Sequence, residues 1–112
     1  MARESKIIFT AEFDKIIEEL LFILYEEEYF GFIHDAQKYV SKIYNFIEEK
    51  IETYPIKNTP PELIHHGEKY IRYKANEHTT WYIFFSQTKQ YYFVKFITNS
   101  HSSLVAKLNI DY

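Results

Sequence analysis

Apolar residues recur at helical spacing through the first half of this chain and at a spacing of two through much of the second. From Phe13 they fall at Ile16, Ile17, Leu20, Leu21 and Leu24, the i, i+3, i+4, i+7 stripe of an amphipathic helix. Glu18, Glu19, Glu26, Glu27 and Glu28 fall mostly on the opposite side. A second helical register opens after Gly31, with Phe32, Ala36, Val40, Ile43, Ile47 and Ile51 in one stripe. Asp35, Lys38, Lys42, Glu48, Glu49 and Glu52 take its other faces. Two helices that each carry an apolar stripe must bury it against something, and an antiparallel hairpin joined near Tyr29–Gly31 is the expected outcome. Tyr54-Pro55 ends the second helix, because the residue before proline is pushed out of helical dihedrals.

The flanking segments read as strands. Lys6-Ile7-Ile8-Phe9-Thr10 is β-branched and aromatic. Thr10 is placed to cap the first helix, with Glu12 and Asp14 near its positive end, although Phe13 stands where a capping box needs Glu or Gln. An irregular connection through Asn58-Thr59-Pro60-Pro61 closes at His65-His66-Gly67. Lys69–Ala75 then alternates, with Ile71, Tyr73 and Ala75 on one side and Tyr70, Arg72 and Lys74 on the other. Thr80–Ser86 and Tyr91–Thr98 are apolar on both faces, as central strands are, and Gln87-Thr88-Lys89-Gln90 is the polar loop between them. A last short piece is expected around Ser103–Leu108. The expected fold is therefore α+β: an N-terminal strand, a two-helix hairpin, then a mainly antiparallel sheet of about four strands.

At 112 residues the chain is expected to form one domain spanning 1–112. It has no cysteine, which excludes disulfides, thiolate zinc sites and cysteine nucleophiles. Its longest uncharged apolar run, Leu20–Tyr25, is far shorter than the ~20 residues that cross a bilayer, and no signal-peptide stretch opens the sequence. A cytoplasmic protein with no membrane partner is the expectation. Aromatic residues reach 20%, and most lie in Tyr70–Phe96 and along the helical stretch, where they supply much buried area from few side chains. Charge is divided unevenly. Residues 1–54 carry 6 basic and 12 acidic groups, residues 55–112 carry 7 and 4, so an anion-binding surface belongs on the sheet half.

Several chemistries find no support. The histidines His34, His65, His66, His78 and His101 include no i, i+4 pair on an expected helix, so no metal is assigned. No serine sits in a glycine-flanked elbow, and two glycines 36 positions apart make no phosphate loop. The carboxylates of the helices belong to solvated faces. No cofactor is expected. A cluster on the sheet remains. Arg72 and Lys74 share a strand face, and Lys95 is the only charge in Tyr91–Thr98. A lysine there must reach water or an acid, because burying an unpaired ammonium is costly. With Tyr70, Tyr82 and Tyr92, and with Asn99-Ser100-His101 after the strand, such a surface would bind phosphodiester and stack bases. Structural readings stand beside this one: Lys95 as a snorkelling edge residue, His101 as a loop histidine.

The element order and several segments resemble the RelE/ParE family of toxins from bacterial toxin–antitoxin (plasmid stabilisation) modules, over most of the chain. The helical stripe Ala36, Tyr39, Val40 and Ile43 lies in Phe32–Ile47, and Lys69-Tyr70-Ile71-Arg72-Tyr73 is similar to the family's basic strand. Asn76–Phe85 resembles its next strand, and Tyr92–His101 its last strand and following turn. The resemblance implies a growth-inhibiting toxin neutralised by a cognate antitoxin. One branch of the family cuts messenger RNA on the ribosome without metal, and the other binds DNA gyrase. Carried over to this chain, Lys95 and His101 are the candidate catalytic residues, and Arg72, Lys74, Tyr92 and Asn99 the candidates for phosphate or target binding. The sequence departs from the nuclease pattern at Thr80 and Lys95, where the family often has arginine, and His101 is offset from its terminal His or Tyr. A toxin acting through a macromolecular target therefore leads. A ribosome-dependent endoribonuclease and a degenerate, non-toxic interaction scaffold are the alternatives, and self-association through aromatic surface is a further expectation.

Overall fold

The computed structural model describes residues 6–26, 33–102 and 108. The expected joint at Tyr29–Gly31, Phe32 at the start of the second stripe and residues 103–107 of the expected final piece lie outside them. The elements run β1 (Lys6–Phe9), α1 (Ala11–Glu26), α2 (Ile33–Lys50), β2 (Lys57–Asn58), a short 3-10 helix (Pro61–His66), β3 (Lys69–Lys74), β4 (Thr80–Gln87) and β5 (Tyr91–Asn99). The sheet order is β1-β5-β4-β3-β2. All neighbours are antiparallel except β1 and β5, which pair in parallel from Lys6↔Tyr91 to Phe9↔Val94.

Two corrections to the expected sheet follow. It has five strands, because Lys57 and Asn58 pair with Tyr70 and Lys69 to make β2. It is also mixed. The helical hairpin brings the chain back to the end at which β1 stopped, and the alternating run β2 to β5 then leaves β5 pointing the same way as β1. Lying side by side, those two can only be parallel.

Thr10 joins β1 to α1 twice over. Its Oγ1 accepts from the Phe13 N–H at 3.2 Å, the expected cap, and donates to the Val94 carbonyl at 3.2 Å, tying the helix start to β5. Ala36, Val40, Ile43 and Ile47 of α2, and Ile51 just after it, are buried throughout, and the last backbone bond reaches from the Tyr54 N–H to the Lys50 carbonyl at 2.8 Å, stopping at Pro55. The first turn of α1 meets the middle of α2, where the Tyr44 hydroxyl donates to Asp14 Oδ1 at 2.8 Å and its ring packs edge-on against Phe13. The contact is of the kind an antiparallel helix pair makes, the start of one helix lying beside the later half of the other. Both helices cover one face of the sheet, burying Phe13, Ile17, Ile71, Trp81, Ile83, Phe85, Val94 and Ile97 between the layers. Trp81 Nε1 donates to the Tyr39 hydroxyl at 2.8 Å, which satisfies a polar group that burial would otherwise strand. Tyr44 and Tyr73 are both pushed above the usual tyrosine value, chiefly by burial.

Candidate functional site: the sheet face away from the helices

Strand alternation sends Tyr70, Arg72 and Lys74 to the face opposite the helices, and the register extends each into a row. Tyr70 aligns with Phe84 and Phe96, Arg72 with Tyr82 and Thr98, and Lys74 with Thr80, whose neighbour across β5 is Ser100. The rows grade from apolar to cationic and polar. No acidic residue occurs between Glu77 and Asp111, so β4, β5 and the turn between them contribute none.

The apolar row is covered. The 3-10 helix lays Leu63 and His66 over it, and Leu108 joins the same cluster, leaving Tyr70, Tyr82, Phe84 and Leu108 buried. The His66 ring stacks on Phe96 with centroids 3.8 Å apart and planes 15° from parallel. Burial there lowers its pKa below the ordinary histidine value, and the adjacent His65 ring adds to this while Glu12 opposes it. Tyr70 and Tyr82, two of the three tyrosines expected to stack bases, are therefore enclosed by the chain itself.

The polar end is built from two turns held together. The Ser100 N–H donates to the Thr80 carbonyl at 2.9 Å, and the Thr80 N–H donates to Ser100 Oγ at 3.2 Å. His101 Nε2 lies 3.3 Å from Thr79 Oγ1, and Asn99 Oδ1 accepts from the His101 N–H at 2.9 Å. Arg72, Lys74, Asn99 and His101 thus lie at one end of the sheet but not on one face: Asn99 pairs with Trp81 and Thr79 with Ala75, so Asn99 and the Thr79–His101 contact take the parity of the helix-covered face, and Arg72 and Lys74 take the other. Arg72 is half-buried, and Lys74 and His101 are exposed. The Asn99 side-chain oxygen is occupied in shaping the turn.

Two candidates lie elsewhere. Tyr92 aligns with Ile7 and is 5% exposed among the side chains under the helices, so it is withdrawn from the target-binding surface expected of it. The physical reason is the parallel pairing with β1, which seats Tyr92 in the same layer as Ile7 and Phe9. Lys95 is the extra residue of a bulge, since Phe85 pairs with Val94 and Phe84 with Phe96. It lies three residues before Thr98 and two strands from Arg72, about 14 Å between Cα atoms from standard sheet spacings. Lys95 and the Arg72–Lys74 end are two places on the sheet, not one cluster. Thr79, Thr80 and Ser100, which fix the corner, were not among the expected residues, because cross-turn contacts leave no periodic signal.

Among the described residues no three histidines, aspartates or glutamates converge as metal ligands would, and no helix is long and apolar enough to cross a membrane. The arrangement defines an α+β domain whose helices shield one sheet face, while the other ends in a cationic, hydroxyl-rich corner. Compared with protein-family models, curated proteins and solved structures, the chain finds no match.

Proposed function

We propose that this protein is the toxin-family component of a type II toxin–antitoxin module of RelE/ParE kind, acting through a macromolecular target and neutralised by a partner protein. The observation that carries the reading is the one-sided sheet. A strand–helix–helix–strands order puts both helices on one face, and Arg72 and Lys74 stand on the other, at the end of the sheet where His101 also lies, with no carboxylate on β3, β4 or β5 and Glu77 in the β3–β4 turn. Such a corner suits an anionic or hydrogen-bonding macromolecular surface.

A metal-independent, ribosome-dependent endoribonuclease is the second reading, favoured by exposed His101 and its contact with Thr79 at the sheet end that also carries Arg72 and Lys74. Cleavage through a neighbouring 2′-hydroxyl needs a proton acceptor, a donor and fixed positive charge, and His101 with Arg72 and Lys74 would supply parts of that set. Lys95, at its separate position, would contact a different part of the nucleic acid.

Induced expression of the chain, alone and with the product of the adjacent reading frame, tests the proposal. Growth arrest relieved by the neighbour, with a purified complex of the two, is the expected result. The absence of both growth arrest and a complex refutes it. Primer extension on translated transcripts separates the readings: new cleavage sites that vanish in His101→Ala favour the nuclease, and unchanged transcripts during growth arrest favour a target-binding toxin.

A further inference from the structure

The two edges of the sheet differ in how they are guarded. The β2 edge is two residues long and lies between Pro55 and Pro60, a short strand that blocks further pairing. The β1 edge has no such protection among the described residues. The Lys6 N–H donates to the Gln90 carbonyl at 2.9 Å and the Thr10 N–H to the Val94 carbonyl at 3.0 Å. In a parallel ladder alternate residues bond the neighbour, so Lys6, Ile8 and Thr10 face β5. The N–H and C=O groups of Ile7 and Phe9 therefore point away from the sheet, and among the described residues none takes them up.

We propose that this edge pairs with the same edge of a second copy of the chain, antiparallel about a two-fold axis through Ile8. The pattern of the strand is what selects that occupant. An axis at Ile8 sets Ile7 opposite the partner copy's Phe9 and the reverse, so both outward-pointing residues form reciprocal N–H···O=C pairs. Ile8 then meets its own counterpart on the face away from the helices, where it is half-exposed beside Phe93. Ile7 and Phe9 meet on the helix side, where each already packs against the core. Lys6 falls opposite Thr10, so no like charges oppose one another. The two sheets become one continuous sheet with β1 at its centre. A contact of this length is small beside a standard interface, so the dissociation constant is on the order of micromolar or weaker. The proposal does not depend on the toxin reading.

The test uses the full chain, which contains no cysteine. Residues directly opposite in a non-hydrogen-bonded pair lie ~4.5 Å apart at Cα, within the span a disulfide bridges. Ile8→Cys is expected to form a disulfide-linked dimer under mild oxidation, whereas Lys38→Cys on the exposed side of α2 stays monomeric. Sedimentation over rising concentration is expected to show the wild type passing from monomer to dimer. Ile8→Lys, which sets two ammoniums face to face, is expected to stay monomeric with an unchanged circular dichroism spectrum. A wild type that is monomeric at millimolar concentration overturns the proposal, whatever other strand the edge then accepts. So does a dimer that persists in Ile8→Lys, or an Ile8→Cys variant that cross-links no faster than the Lys38→Cys variant. Should Ile8→Lys fail to fold, the cross-linking comparison decides alone.

Discussion

Gly67 gives the sharpest test of how the outer face is covered. It closes the 3-10 helix with φ 152° and ψ 144°, a backbone region that side chains other than glycine's rarely enter. A Cβ built there would lie 2.7 Å from the Phe85 nitrogen, 3.0 Å from the Phe84 carbonyl carbon and 3.1 Å from Phe84 Cβ. Two of those atoms are backbone of β4, the central strand, bonded on both sides and unable to retreat. Gly67→Ala therefore adds conformational strain of about 1–3 kcal/mol to overpacking of about 1–3 kcal/mol. For a domain of this size a combined loss of about 2–6 kcal/mol lowers the melting temperature by roughly 10–30 °C. Urea denaturation followed by circular dichroism measures it, with an unchanged m value showing that the denatured state is the same. A loss below about 1 kcal/mol would refute the close approach of Gly67 to β4, and with it the seating of Leu63 and His66 on the sheet.

Two further substitutions probe the layers separately. Tyr39→Phe removes the acceptor of the Trp81 indole N–H and is expected to cost about 1–3 kcal/mol, read by denaturation and by a shifted emission from the chain's single tryptophan. His66 has a folded-state pKa below its ordinary value of 6.5, so as pH falls through that value the unfolded chain takes up the proton first. Its contribution to stability is complete above about pH 6.5 and declines below it. His66→Phe, which keeps a ring on Phe96, is expected to flatten that decline in urea midpoints measured from about pH 7.5 to pH 5, and an equally steep decline in the variant would show that other groups cause it.

Much of the architecture is legible in local pattern. The stripe Ala36, Val40, Ile43, Ile47 and Ile51 gives α2 and its buried face, and Thr10 gives the start of α1. The alternation in β3 separates Ile71 and Tyr73 from Tyr70, Arg72 and Lys74, because side-chain direction in a strand depends only on parity. Which strands meet depends instead on contacts between residues far apart in the chain, and single-residue periodicity carries no record of them. β2 exists because Tyr70 and Lys69 offer it an edge, and nothing within Lys57-Asn58 alone marks a strand. The parallel seat of β1 on β5 sinks Tyr92 beneath the helices, and the bulge at Lys95 separates that lysine from Arg72. Leu63, His66 and Leu108 enclose aromatic rings that the strand pattern alone leaves open to a ligand. Sequence thus determined the two helices, the longer strands and the alternation of side chains along each. Tertiary structure decided which of those faces the chain keeps for itself, because closing a loop over a distant strand is settled by the total free energy of the packed layers and not by any segment's own preference.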